Sequence, residues 1–333
     1  VQAEIDDLFE WEILTPIHVK GKSEAVEIAV LKAVQPRIGM HLPDGDESEP
    51  LVGRDQEVEQ LAEMMASALA GQGRVVSFVG EAGLGKSRLV AKALQMAQER
   101  GFTVFGGEAE SHGMNSSYLV WHPIWRGLFG LDPTLSKEAQ IHTLHQAIGR
   151  IDHNMVPRIP LLGPALQLAI DDNDLTAGFD AKLRKSSLER MLLDSLAFRA
   201  QEMPLVLVLE DCHWADVLSH DLLDEVAQSI TNLPVLIILT FRELGLDPQR
   251  EKGLSSLPYF TNMGLSPLTQ DDLTMLAKVK LDRLSANGRD QETTEKLARR
   301  IAQQADGNPF YLEELVNYVG NQALETIDPN ELS

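Results

Sequence analysis

The sequence holds a single cysteine, Cys212, in 333 residues. That excludes an internal disulfide and a metal site built on a cysteine cluster, and it fits a reducing, cytoplasmic setting. Long apolar runs are also missing. No stretch approaches the ~18 residues that a membrane helix needs. Leu205–Leu209 and Val235–Leu239 are short, soon meet charged residues and read as buried strands. The N-terminus is acidic and polar and shows no signal peptide. Positive charge is scarce: 29 Lys and Arg against 50 Asp and Glu leave a net charge of −21. Non-specific binding to nucleic acid or to an anionic membrane needs a basic surface, so neither partner is expected. A nucleotide is not excluded, because a phosphate site is local and carries its own cation. Internal repeats and low-complexity tracts are absent, as is an Asn-Lys-x-Asp segment that would read guanine.

What is present is a phosphate-binding loop. Gly80-Glu81-Ala82-Gly83-Leu84-Gly85-Lys86-Ser87 has the G-x-x-x-x-G-K-[ST] pattern. Its glycines let successive backbone N–H groups turn inward on an anion. The helix that follows adds partial positive charge from its N-terminus, where Arg88 also lies. Lys86 reaches the terminal phosphates of ATP or ADP, and the Ser87 hydroxyl can ligate Mg²⁺. The setting agrees: Val75–Val79 reads as a buried strand, and Leu89, Ala93, Leu94 and Ala97 recur at helical spacing.

The chain length suggests about two domains. Residues 1–35 read as a hairpin, with strands at Ile17–Lys20 and Val26–Val30 around the turn Gly21-Lys22-Ser23-Glu24. An isolated hairpin is marginal in water, and Val1 is not an initiator methionine. The hairpin is therefore expected either to pack on the main domain or to be the remnant of a domain that begins upstream, and the remnant is favoured. Residues 36–50 have the Pro, Gly and acidic composition of a linker. From 51 to 265 strands alternate with helices, which predicts an α/β fold: a P-loop NTPase with a parallel sheet flanked by helices. The predicted strands are Val75–Val79, Phe102–Phe105, Leu205–Leu209, Val235–Leu239 and a short one within Tyr259–Leu265. Val58, Leu61, Ala62, Met65 and Leu69 form a helical stripe ahead of the first. Residues 108–201 read as a helical insert, 266–320 as a C-terminal helical lid and 321–333 as a tail.

The strand Leu205–Leu209 ends in Glu210 and Asp211. An acid here holds Mg²⁺ and its neighbour orients or deprotonates the attacking water. Both acids are metal candidates; Glu210 is favoured for the metal and Asp211 for catalysis, although the first position usually carries Asp. Arg242 follows the strand Val235–Leu239, at the edge where parallel sheets present ligand contacts, and can reach the γ-phosphate. Lys86, Asp211 and Arg242 are thus the catalytic candidates. Cys212 and His213 are adjacent and lack metal-ligand spacing; packing is the leading role for both, with water positioning the alternative for His213.

Together with Leu51-Val52-Gly53-Arg54, Leu209–Asp216 and Gly307-Asn308-Pro309-Phe310, these motifs make residues 51 to about 320 resemble a STAND-type, AAA-related ATPase. The likeness is to modules that follow class III nucleotidyl cyclase domains and that open LuxR-type regulators. It implies that the Val52, Gly53 and Arg54 backbone lies against adenine, that Arg242 senses the γ-phosphate and that Pro309 closes over the base. Val19–Val26 is similar to the last hairpin of a class III adenylate or guanylate cyclase domain, which implies an upstream cyclase-type effector. None of that family's metal-binding aspartates can be assigned in this chain. The expected function is an ATP-binding, slowly hydrolysing signal-transduction switch. The alternatives are a non-hydrolysing nucleotide-binding scaffold and a fragment of a cyclase.

Overall fold

The computed structural model describes residues 9–17, 26–34, 51–111, 116–242, 248–284 and 291–321. The turn Gly21–Glu24, the linker 36–50 and residues 322–333 of the tail lie outside them. At the N-terminus β1 (Phe9–Ile17) pairs antiparallel with β2 (Val26–Val34). The predicted strand Val26–Val30 lies within β2; of the predicted Ile17–Lys20 only Ile17 is among the described residues, and it ends β1. Phe9-Glu10-Trp11-Glu12-Ile13 alternates apolar with acidic residues, the period-two signal of a strand, and it pairs across to Val34–Ala29.

The core opens with α1 (Asp55–Leu69), β3 (Arg74–Val79), α2 (Lys86–Glu99) and β4 (Thr103–Glu108). Ala68, not the exposed Leu69, completes the buried face of α1. The insert follows, with α3 (His122–Leu128), α4 (Lys137–Ile151), α5 (Gly163–Leu166) and α6 (Ala181–Glu202). Its prolines sit where they do least harm: Pro123 and Pro164 in first helical turns, Pro157 and Pro160 in a 3₁₀ run. Next come β5 (Leu205–Glu210), α7 (Val217–Ser229), β6 (Val235–Phe241), α8 (Pro248–Ser255) and β7 (Phe260–Gly264). The five strands β3–β7 form one all-parallel sheet in the order β4-β5-β6-β3-β7. The last helices, α9 (Gln270–Leu284), α10 (Gln291–Ala305) and α11 (Pro309–Asn321), make up the segment expected as the lid.

Burial on both faces explains the uninterrupted apolar strands. In β5, Leu205, Leu207 and Leu209 pack toward the insert and α7, while Val206 and Val208 pack toward α1 and α2. The same alternation places Glu210 on the α2 side. The lid has its own core, which includes Leu273, Ile301, Leu312 and Val316, and Val52 joins it. The insert is anchored by Trp121 and Trp125, both fully buried and stacked with ring centroids 5.7 Å apart. Trp121 Nε1 donates to the Ser219 carbonyl at 3.0 Å. Asp216 caps α7 through the amides of Leu218 and Ser219 and also accepts from the Tyr118 amide at 3.0 Å. Asp216, the end of the phrase that begins at Leu209, is thus a structural latch between insert and sheet.

Strand β4 runs three residues past its predicted end, through Gly106 and Gly107. A Cβ on Gly107 would lie 1.8 Å from the Val120 carbonyl oxygen, which is backbone and cannot step aside. Gly107→Ala is therefore expected to cost about 3 kcal/mol, the upper end for overpacking, measured by denaturant unfolding. An unchanged midpoint would contradict this packing.

Candidate functional site

Three adjacent strands deliver the site. At ~4.8 Å per strand, the ends of β3, β6 and β5 span about 10 Å, room for a phosphate chain and a cation. β3 feeds the loop Gly80–Ser87, β6 ends at Thr240 and Arg242, and β5 ends at Glu210 and Asp211.

In the loop, Gly83 and Gly85 take φ of +82° and +89°, a region L residues rarely adopt. Glu81 and Ala82 are exposed, Leu84 is buried, and Ser87 and Arg88 are half-buried in the first turn of α2. Lys86 Nζ donates to the carbonyls of Gly80 at 2.7 Å and Glu81 at 2.9 Å, so it bridges the mouth of the loop. Burial pushes its ammonium below the ordinary value, against the charge of Asp211. Arg242 is exposed, and its charge acts on both Lys86 and His213, which places it at the same end of the cradle.

The two acids occupy different surroundings. Glu210 is buried; Ser87 hydrogen-bonds it, and its Oε1 has no partner. Asp211 keeps a side chain 35 % exposed. Its backbone is left-handed, with φ of 50°. Its N–H donates to Thr240 Oγ1 at 2.8 Å and its carbonyl accepts from the Trp214 amide at 2.8 Å. Cys212 is buried, its thiol donating to the Leu209 carbonyl at 3.2 Å.

Burial first, then the charges of Glu108 and Asp211, push Glu210 from 4.5 up to about 7. The folded state thus holds the proton that the unfolded chain gives up, and stability falls as pH rises across that window. Glu210→Gln removes the effect. The nucleotide-free variant is expected to match wild type below pH 4.5 and to be the more stable above about pH 7. Denaturant midpoints at about pH 5 and about pH 8 check it; a constant gap would contradict it.

Glu108 is a residue the sequence reading missed. It pairs in register with Glu210 across β4 and β5, on the same face of the sheet. Thr240 and Asn308 were missed as well. Asn308 caps α11, its Oδ1 accepting from the Phe310 amide at 2.9 Å. Its Nδ2 donates to the Ala82 carbonyl at 3.2 Å, and the Phe310 amide donates to the Gly83 carbonyl at 3.3 Å. A Cβ on Gly83 would sit 2.6 Å from Asn308 Oδ1, and one on Gly85 would sit 3.9 Å from Pro309 Cγ. The lid thus rests directly on the phosphate loop. The side chain of Arg54 is a clamp: buried, it donates to the carbonyls of Leu84 at 3.1 Å and Ser266 at 2.7 Å. Val52, Gly53 and Arg54 join lid to loop, with Val52 in the lid core and Gly53 against Asp272.

Among the described residues no group of three His, Cys, Asp or Glu side chains could hold a metal ion alone. The residues do fit Mg²⁺ held jointly with a phosphate. Ser87 and Glu210 already meet, and the orphaned Oε1 of Glu210 is an acceptor awaiting a cation or a bound water.

Among known proteins, an uncharacterized protein of Rhizobium meliloti (strain 1021), R02095, is 26% identical over 288 residues. The match covers 85% of this chain and 26% of that protein, so the chain spans about a quarter of its relative's length. Solved structures with partial similarity include Cdc6p of Pyrobaculum aerophilum (16% identity, TM-score 0.45, 84% of this chain and 64% of that one). Another is a RuvB variant of Thermotoga maritima (13% identity, TM-score 0.43, 84% and 67%). Similarity at this level carries no information about activity. The AAA ATPase domain family matches residues 50–238, more than half of the sequence, and spans the loop, both acids, β3, β4, β5 and the start of β6. With its phosphate loop and sheet order in place, this chain belongs to the AAA ATPase domain family and carries a nucleotide-binding site.

Proposed function

We propose that this chain is an ATP-driven switch of the STAND type that regulates an attached effector, with an upstream nucleotidyl cyclase domain as the leading candidate. ATP binds between core and lid, with Val52–Arg54 and Pro309 bordering the base. Lys86 and Arg242 contact the γ-phosphate. Ser87 and Glu210 would hold Mg²⁺, which would supply charge neutralisation at the phosphates. Asp211, the more exposed acid, orients the attacking water and receives its proton. Loss of the γ-phosphate then releases the contacts that hold the lid.

The observation that carries this reading is the pair of hydrogen bonds from Asn308 and Phe310 to the carbonyls of Ala82 and Gly83. The lid is bonded to the loop that grips the phosphates, so occupancy of one biases the other. A charge-assisted contact such as Arg242 to the γ-phosphate contributes roughly 1.5–3 kcal/mol. That shifts a two-state balance about 10- to 150-fold between the ATP and ADP forms. The cyclase-type effector rests on the likeness of Val19–Val26 to the last hairpin of a class III cyclase domain.

The test is the nucleotide content of the purified protein, followed by phosphate release with Mg²⁺ and with chelator. Retained ADP or ATP and slow, Mg²⁺-dependent release are expected. A protein with no bound or bindable nucleotide would overturn the reading.

A further inference from the structure

One polar group at the phosphate end has no task in the scheme above. His213 lies in the 3₁₀ turn Cys212–Trp214 that follows Asp211. Its side chain is 7 % exposed, and both ring nitrogens are buried without a hydrogen-bond partner. An imidazole always carries at least one N–H. Leaving a buried donor unmet costs its full desolvation, and such groups call for an explanation. Packing explains part of the ring's place: it lies against Trp214 with centroids 5.0 Å apart. Packing does not explain the polar atoms, since an apolar side chain would fill the space without the penalty.

The surroundings supply the explanation. The charges that act on the ring are those of Asp211, Arg242 and Lys86, the three catalytic candidates. The nearest carboxylate oxygen is Asp211 Oδ1, 3.7 Å from Nδ1. A hydrogen bond to a carboxylate needs ~2.8 Å, so about 1 Å separates the two groups from contact. Asp211 can make up that distance only with its side chain. Its backbone is pinned in the left-handed region, with its N–H on Thr240 and its carbonyl on the Trp214 amide. What remains free is the rotamer of the carboxylate, and that rotamer decides where its second oxygen points.

We propose that His213 is a positioning residue for hydrolysis: its Nδ1–H closes onto Asp211 Oδ1 when nucleotide fills the site and turns the other carboxylate oxygen toward the attacking water. This rests on Asp211 acting in hydrolysis, as set out above. The ring takes no proton from the water. It holds the base in place, and the same turn that carries the base carries its holder.

Two measurements test it. In the first, steady-state phosphate release and nucleotide affinity are compared for wild type, His213→Ala, His213→Asn and His213→Gln. An Asn amide places its N–H near Nδ1, whereas Gln reaches toward Nε2. His213→Ala is expected to lower kcat about 100-fold, the loss that follows ~1 Å of misplacement, with KM and the Kd for ADP unchanged. His213→Asn is expected to restore most of the rate and His213→Gln little of it. In the second, nitrogen NMR of histidine-labelled protein with a β,γ-imido ATP analogue and Mg²⁺ reads the tautomer of His213. The proton is expected on Nδ1, shifted downfield by the carboxylate, and the downfield shift disappears in Asp211→Asn. Wild-type turnover by His213→Ala would overturn the proposal, as would equal losses in all three variants that track their melting temperatures, or a proton on Nε2 in the bound state. If wild type binds nucleotide but releases no phosphate, the hydrolysis reading fails, and the tautomer still decides whether His213 and Asp211 pair.

Discussion

Asp211→Asn is expected to lower phosphate release about 10²- to 10⁴-fold, the range for removing a general base, and to leave nucleotide binding in place. The substitution isolates the carboxylate. Asp211 sits in left-handed backbone, its N–H bonded to Thr240 Oγ1. Asn tolerates that conformation as well as Asp does, so the turn and its backbone bonds survive. Glu210, buried against Ser87, is left untouched as the proposed metal ligand. Single-turnover phosphate release with binding measured in parallel checks the expectation. Loss of binding in step with release would move Asp211 from the water to the metal. Unchanged release would remove it from the chemistry.

Lys86→Ala is expected to weaken ATP binding about 10- to 150-fold, the equivalent of one charge-assisted contact of roughly 1.5–3 kcal/mol. The side chain performs two tasks. With nucleotide it is proposed to meet the terminal phosphates. Without nucleotide it bridges the carbonyls of Gly80 and Glu81, at 2.7 and 2.9 Å, and holds the loop mouth in shape. The variant therefore loses affinity and loop order together, and titration calorimetry with ATP reads the first. Wild-type affinity in Lys86→Ala would mean that the phosphates sit elsewhere.

The sequence announced the site through local signals. A phosphate loop is one continuous segment whose glycines, lysine and serine act on the same ligand, so its pattern survives in one dimension. The acids were legible because β5 is an unbroken apolar run that ends in charge. The reading faltered where function depends on what lies alongside. Glu108 was missed because Gly106 and Gly107 interrupt the strand pattern, and the glycine is there because Val120 passes close by, a contact 13 residues downstream. Thr240 reads as one more strand residue until β6 is seen beside β5. Asn308 reads as a helix cap, and it is one, but the same side chain reaches 226 residues back to the Ala82 carbonyl. For Arg54 the resemblance speaks only of its backbone, and only the fold shows its guanidinium donating to the Leu84 and Ser266 carbonyls. The strand Phe9–Ile17 extends the hairpin upstream of Ile17, and its signal is the alternation at Phe9–Ile13.

The coupling of lid to loop is the centre of this account. Of the contacts that make it, the backbone one is the Phe310 amide on the Gly83 carbonyl. Hydrogen exchange of that amide measures it directly, in the intact chain with Mg²⁺ and either the β,γ-imido ATP analogue or ADP. A γ-phosphate that holds the lid is predicted to slow exchange at Phe310 about 10- to 150-fold relative to ADP. Equal exchange in the two nucleotide states would contradict the switch.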